Sequence, residues 1–281
     1  MKIARFPQLL AAMLLTAAMP MAQARPARII SLVPAVTETL FAIGAGRQMV
    51  AVSSYDQEPP EVAALPRVGA LLDPNLERIL SLTPDLVVVY GSQQDLEAQL
   101  DRAGVAVYPY KHGGLQDVLT TMRELGARTG HDAEAERVAS DIESRLAAVR
   151  QRVAGAPRPR TLLVFGREPG TLRNLYASGG IGFLHDMLEI AGGDNVFADH
   201  RRENVQASSE MLLAARPDAI VELQVSGDGQ IDIAPWLAVP SIPAVRDRRI
   251  ITLVGTDLVT PGPRVAAATE RLARALHPER F

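Results

Sequence analysis

The chain has 281 residues, a formal net charge of −3 and no cysteine. Without cysteine it has no disulfides, thiolate metal sites, cysteine nucleophile or lipid-modified cysteine. The near-neutral charge argues against nucleic-acid binding, which needs clustered basic residues.

The first predicted element is a cleavable export signal. Lys2 and Arg5 precede an apolar run at 9–21, and the small-x-small sequence at 22–24 is a cleavage signal. Together they predict a signal peptide over residues 1–24. The run is shorter than the roughly 20 residues that span a bilayer, which disfavours a membrane anchor. We therefore expect a soluble protein of a bacterial periplasm.

Strands and helices alternate along the next part of the chain, 25–132, which we predict to form an N-terminal lobe. The predicted strands are 28–34, 49–55, 84–90 and 105–110. The predicted helices between them are 37–46, 76–83 and 93–103. This alternation is typical of a parallel sheet with helices on both faces.

One long amphipathic helix is predicted next. Between Val138 and Val153, apolar residues recur at spacings of three and four, separated by charged residues. The pattern predicts a helix over 133–153, about 30 Å long at 1.5 Å per residue. We expect a linking segment at 133–156 that restricts the lobes to small relative motion.

The C-terminal lobe, predicted at 157–281, repeats features of the first. Its predicted strands are 161–166, 218–223 and 249–254, and its predicted helices are 180–191, 208–215 and 263–276. RILSLTPDLVVV (78–89) matches MLLAARPDAIVEL (211–223), and a glutamate, Glu77 or Glu210, precedes each. The predicted fold is α/β. It has two similar lobes, each a mostly parallel sheet flanked by helices, bridged by one long helix with a ligand cleft between them.

An ordered set of segments gives the chain a family resemblance. The segments are RIISLVPAVTETLFAIGAG (28–46), VAVSSYDQEPPE (50–61), PRVGALLDPNLERILSLTPDLVVV (66–89), GGIGFLHDMLEIAGGDNVFAD (179–199), SSEMLLAARPDAIV (208–221) and PGPR (261–264). The chain resembles the periplasmic proteins that deliver cobalamin and iron chelates to ABC importers. The cobalamin-binding proteins are nearest, through SSYDQEPPE and NLERI.

The resemblance implies a binding protein that captures cobalamin or a related corrinoid and passes it to a permease. The alternative is a ferric siderophore or haem binding protein of an iron importer. A periplasmic hydrolase is less favoured, because the sequence has no G-x-S-x-G elbow, P-loop or HExxH motif. We expect no enzyme activity and no cofactor apart from the bound metal chelate.

The resemblance also gives Glu77 and Glu210 a role. In the family, one exposed glutamate on each lobe engages arginines of a two-fold symmetric permease dimer. Repeat-related carboxylates suit such a partner, since pairs of arginine and carboxylate are specific and bidentate. The alternative is that both are helix N-terminal charges favoured by the helix dipole. We expect the binding protein itself to be a monomer.

Ligand contacts are expected in the loops after the strands, at the carboxyl edge of each sheet. The candidates are Tyr55, Asp56, Leu72, Tyr90, Arg167 and Asp257. Aromatic faces suit a flat macrocycle, although each tyrosine could instead be a core ring. If the ligand is haem, Tyr55 or Tyr90 could ligate its iron.

The chain departs from the cobalamin binders in its aromatic content. Those proteins line the cleft with several tryptophans, whereas this chain has only Trp236, which need not face the cleft. Arginines 167, 173, 201 and 202 would suit the carboxylates of a siderophore or haem, or could be solvated loop charges.

Histidine provides no bare-metal site. The chain has five histidines, and none follows the first three predicted strands. Only His200, beside Asp199, is worth considering as a ligand. We therefore predict no metal site.

Overall fold

The computed structural model describes residues 25–225 and 232–281. The predicted signal peptide at 1–24 lies outside the described residues. None of the described helices combines the length and apolar character that crossing a membrane requires.

A four-stranded parallel sheet forms the centre of the N-terminal lobe. Its strands are β1 (Ile29–Ser31), β2 (Met49–Val52), β3 (Leu86–Tyr90) and β4 (Ala106–Tyr110). They lie in the order β2-β1-β3-β4, and every pairing is parallel. The carboxyl ends of all four strands therefore meet at one edge of the sheet.

Strand β3 shows why this sheet is buried on both faces. Val87 and Val89 pack with Ile30 on one face, whereas Leu86 and Val88 pack in a second cluster on the other. Alternate side chains of a strand point to opposite faces, so a continuous apolar run requires other elements to pack on both faces of the sheet.

Helices pack on both faces of this sheet. The helices of the N-terminal lobe are α1 (Pro34–Ala42), α2 (Leu76–Ser81), α3 (Gln94–Arg102) and α4 (Leu115–Thr129). No element was predicted from the sequence at 115–129, where α4 lies. This helix ends at Gly130, whose φ of 80° is in the left-handed region that favours glycine.

The long helix α5 (Asp132–Arg152) lies where the apolar periodicity predicts one. Its buried face includes Ile142, Leu146 and Val149. It packs against α4 of the N-terminal lobe and against two helices of the C-terminal lobe, α6 (Phe183–Ile190) and α10 (Val265–Leu276). The two lobes therefore share one core along this helix.

The C-terminal sheet is mixed. Its strands are β5 (Arg160–Gly166), β6 (Leu175–Ser178), β7 (Asp194–Asn195), β8 (Asn204–Ala207), β9 (Ala219–Gln224) and β10 (Ile250–Val254). The order is β10-β9-β5-β6-β8, with β7 paired to β5. β6 runs antiparallel to both of its neighbours, β5 and β8, and the other described pairings are parallel. The remaining helices are α7 (Ser209–Ala215), α8 (Ala234–Leu237) and α9 (Pro243–Arg246).

The sequence repeat has a structural counterpart in each lobe. Asp85 accepts a hydrogen bond from the backbone N–H of Arg28, and Asp218 accepts one from that of Arg160. Each arginine donates to a backbone carbonyl shortly before the repeated Pro-Asp. The repeated aspartate thus anchors the first strand of its lobe.

Candidate functional site

Two sets of contacts join the lobes across the cleft. Arg264, after β10, donates to both carboxylate oxygens of Glu38 on α1, at 2.8 and 2.7 Å. After β6, the backbone N–H of Phe183 donates to the carbonyl of Gly113, which follows β4. The two sets follow strands on opposite sides of β5 in the C-terminal sheet. The space between them is the candidate ligand site.

Three cavities lie along this region. One of about 290 Å³ is lined by both lobes and is mainly apolar, with Phe165, Phe183 and Val259 facing His112. A second, of about 330 Å³, shares Phe165 and extends into the C-terminal lobe. The third, of about 370 Å³, lies beside the ion pair between Glu38 and Arg264. These dimensions are in the range of small-molecule sites.

Three aromatic rings form a cluster on the N-terminal wall: Tyr90, Tyr110 and His112. Tyr90 and His112 are stacked, with centroids 5.8 Å apart and planes at 27°. Tyr110 meets both rings edge-on, at 6.3 Å from Tyr90 and 5.2 Å from His112. Burial raises the pKa of both tyrosines, so their phenols are neutral at physiological pH.

Tyr90 was predicted as a ligand contact from the sequence, whereas Tyr110 and His112 were not. Tyr110 ends β4 and His112 follows it, so they meet the same criterion that selected Tyr90. The signal for His112 was therefore present in the sequence.

Tyr55 and Leu72 are highly exposed. The side chain of Tyr55 is 69% exposed and that of Leu72 is 91% exposed. A hydrogen bond connects the loop of Leu72 to the loop after β3: the side-chain amide of Gln93 donates to the backbone carbonyl of Leu71. Both candidates are therefore free to contact a ligand or a partner.

Asp56 lies beneath the surface of the site. It is 3% exposed, and neither carboxylate oxygen has a hydrogen-bond partner among the described residues. Burial raises its pKa from 3.8 to about 6, although the nearby Thr37 hydroxyl, the Ser53 backbone and the charge of Arg67 oppose this. Burial is the larger cause of the raised pKa of Tyr90, and the negative charge of Asp56 adds to it.

Arg167 belongs to a buried polar network in the wall of the second cavity. Its Nε donates to Glu222 at 2.7 Å, and its two other nitrogens donate to backbone carbonyls. The indole N–H of Trp236 donates to the other oxygen of Glu222 at 2.8 Å. Trp236 is 0% exposed, so it packs in the core of its lobe and does not face the cleft.

The other proposed arginines are exposed. Arg201 and Arg202 lie on the surface, next to exposed His200. Arg173 lines a separate groove of about 700 Å³ that also includes Glu210. Among the described residues, no cluster of three metal-binding side chains occurs.

Asp257 lies in the turn after β10. Both of its carboxylate oxygens accept hydrogen bonds from Arg271, at 2.8 and 2.9 Å. Asp257 also lies close enough to Glu38 to help raise its pKa, although burial is the larger cause. Asp257 therefore lies near the ion pair of Glu38 and Arg264 that joins the lobes, and its own charge is paired with Arg271.

Glu77 and Glu210 occupy equivalent positions. Each is exposed in the first turn of a short helix, α2 or α7. Asn75 and Ser208 begin these helices and accept a backbone N–H from the first turn. A hydrogen bond with Ser208 lowers the pKa of Glu210. Both glutamates are therefore accessible to a partner, and the helix dipole also favours a charge at each place.

Comparison with known proteins identifies the family. The chain belongs to the periplasmic binding protein family, whose sequence model matches residues 29–255. It is 34% identical over 251 residues to the vitamin B12-binding protein of Salmonella typhimurium, covering 89% of this chain and 90% of the relative. The corresponding protein of Pectobacterium carotovorum is 31% identical over 263 residues, covering 91% and 90%.

Solved structures agree with this assignment. The vitamin B12 binding protein BtuF of Vibrio cholerae has a TM-score of 0.76 at 26% identity, covering 90% of this chain and 97% of that one. A periplasmic heme binding protein from Pseudomonas aeruginosa has a TM-score of 0.78 at 27% identity, covering 90% and 93%. The predicted family and the predicted two-lobed fold are confirmed. These relatives are binding proteins, in agreement with the prediction that the chain is not an enzyme.

Proposed function

We propose that the protein is the periplasmic substrate-binding component of an ABC importer and that it captures cobalamin or a related corrinoid. The similarity to vitamin B12-binding proteins carries this proposal, because it extends over 89% of the chain at 34% identity. It therefore includes both lobes and the cleft between them. A sequence match confined to one lobe would support the fold assignment but would not support the ligand assignment.

The chemistry of the cleft suits a large ligand that carries neutral polar groups. Phe165 and Phe183 offer apolar surface, and Tyr90 offers a neutral phenol. A corrinoid has broad apolar faces and a rim of neutral amides. Aromatic rings can pack on the faces, while exposed polar groups such as Glu203 and Asn204 can bond the amides.

The charges near the cleft favour a corrinoid over an anionic iron chelate. In the three cavities described above, the lining arginines are Arg167 and Arg264. Each is already paired with a buried glutamate, Glu222 or Glu38. Carboxylates of haem or a siderophore would need a free cation to offset the loss of their hydration.

Haem or a ferric siderophore remains the second candidate. The observation that favours it is the exposed side chain of Tyr55, since a tyrosine phenolate can ligate haem iron. The similarity to a heme binding protein from Pseudomonas aeruginosa is in line with this alternative. On this reading Tyr55, not the aromatic cluster, dominates ligand affinity.

Delivery to the permease is assigned to Glu77 and Glu210. Their exposure and equivalent positions support contacts with arginines on the two halves of a permease dimer. The double variant Glu77→Ala, Glu210→Ala should bind ligand normally but support no uptake. Glu134→Ala is the matched control, because Glu134 is also exposed in the first turn of a helix.

Uptake of labelled cyanocobalamin by the cognate permease in proteoliposomes measures both parts of the proposal. Wild-type protein and the Glu134 variant should support equal uptake, and the double variant none. Undiminished uptake with the double variant would refute the docking role alone. If wild-type protein binds cobalamin but supports no uptake, the delivery role fails and the ligand assignment stands.

A further inference from the structure

His112 has a distinctive position in the cleft. It follows β4, lines the cavity between the lobes and is exposed to solvent. Tyr90 stacks on one side of its ring, while Tyr110 contacts it edge-on. These two contacts restrict the plane of the imidazole at the wall of the cavity.

The imidazole nitrogens of His112 are available. No hydrogen bond to either nitrogen occurs among the described residues, whereas His277 lies 3.1 Å from the carbonyl of Gly192. Although part of its surface is open to solvent, partial burial of the ring lowers the pKa of His112, and the negative charge of Glu203 opposes this only in part. At neutral pH the ring is therefore uncharged and carries a free lone pair.

A neutral imidazole in this position can act as a ligand to a metal. His112 cannot hold a bare ion, because no cluster of three metal-binding side chains exists among the described residues. It can provide one further ligand to a metal that a macrocycle already holds. Cobalt in a corrin has two axial positions, and imidazole is a suitable ligand for such a metal.

We propose that His112 coordinates the cobalt of corrinoids that have an exchangeable axial position, such as those that lack the nucleotide base. This inference rests on the proposed function. In the step, a water molecule leaves cobalt and the imidazole lone pair forms a cobalt–nitrogen bond, with no change of oxidation state. The protein then recovers incomplete corrinoids as well as intact cobalamin.

Two probes distinguish coordination from simple packing. Aquacobinamide has exchangeable water on cobalt, whereas dicyanocobinamide has both axial positions blocked. Wild-type protein should shift the visible absorption bands of aquacobinamide and bind it at least about tenfold more tightly than dicyanocobinamide, a difference of about 1.4 kcal/mol. The spectrum of dicyanocobinamide should not change.

The variant His112→Phe keeps an aromatic ring against Tyr90 and removes the nitrogens. It should bind dicyanocobinamide as wild type does, but lose the spectral shift and the preference for aquacobinamide. His200→Phe is the control, because His200 is an exposed histidine packed edge-on against Phe197 and does not line the three cavities described above. It should behave as wild type.

A second variant keeps the test decisive if His112→Phe does not fold. In His112→Gly, imidazole added at a concentration too low to change the spectrum of free aquacobinamide should restore the spectral shift of the bound form. Normal binding of both cobinamides by wild type with no spectral shift would overturn the coordination and leave the proposed function intact. If neither cobinamide nor cyanocobalamin binds, the proposed function fails and this inference fails with it.

Discussion

The buried carboxyl of Asp56 should make the stability of the protein depend on pH. Its pKa is about 6 in the folded protein, against an ordinary value of 3.8. The folded state therefore binds more protons than the unfolded state between these values, so stability falls as pH rises through this window. The difference between these two pKa values corresponds to about 3 kcal/mol of stability, lost progressively between about pH 4 and pH 7.

The substitution Asp56→Asn removes this ionisation and keeps the shape of the side chain. Urea unfolding of both proteins at several pH values gives the free energy of unfolding for each. The difference, variant minus wild type, should rise by about 3 kcal/mol from pH 4 to pH 7.5. Asp101→Asn is the control, since it removes an exposed carboxylate of α3. Parallel pH profiles for the Asp56 variant and wild type would refute this account of the buried carboxyl.

Two further predictions concern contacts between and within the lobes. Arg264→Ala should lower the free energy of unfolding by about 2 kcal/mol, less than for a fully buried pair because the arginine side chain is 33% exposed. The same change in a Glu38→Gln background should lower the free energy of unfolding by less. Equal losses in the two backgrounds, measured by urea unfolding, would contradict an energetic coupling between Arg264 and Glu38. Trp236→Phe should destabilise the protein by about 2 kcal/mol, since it leaves a cavity and removes a donor from the buried Glu222. Ligand affinity of this variant should not change, and a tenfold loss in titration would place Trp236 in the site after all.

The sequence predicted those elements whose apolar pattern is determined locally. Val87 to Val89 form an uninterrupted buried run, and Ile142, Leu146 and Val149 repeat at helical spacing. The missed strands β6 and β8 have only four residues each, and they form by pairing with β5 and with each other. The predicted helix at 180–191 begins only at Phe183, because Gly182 has a φ of 91° that ends the preceding turn.

The candidate site was predictable where it follows from topology. Tyr90 lies on the cleft wall because parallel strands share one carboxyl edge, and His112 follows from the same rule. The pairing of Arg167 was not predictable, since Glu222 is 55 residues away along the chain. The burial of Asp56 likewise depends on packing around the loop, which no local pattern encodes.

Titration calorimetry of the purified protein with cyanocobalamin, haemin and a panel of ferric siderophores tests the central claim most directly. The proposed function predicts tight one-to-one binding of cyanocobalamin, with weaker or no binding of the iron chelates. Tight binding of haemin or a ferric siderophore without binding of cyanocobalamin would contradict it. That result would assign the cleft to iron transport and make Tyr55 the first residue to test as an iron ligand.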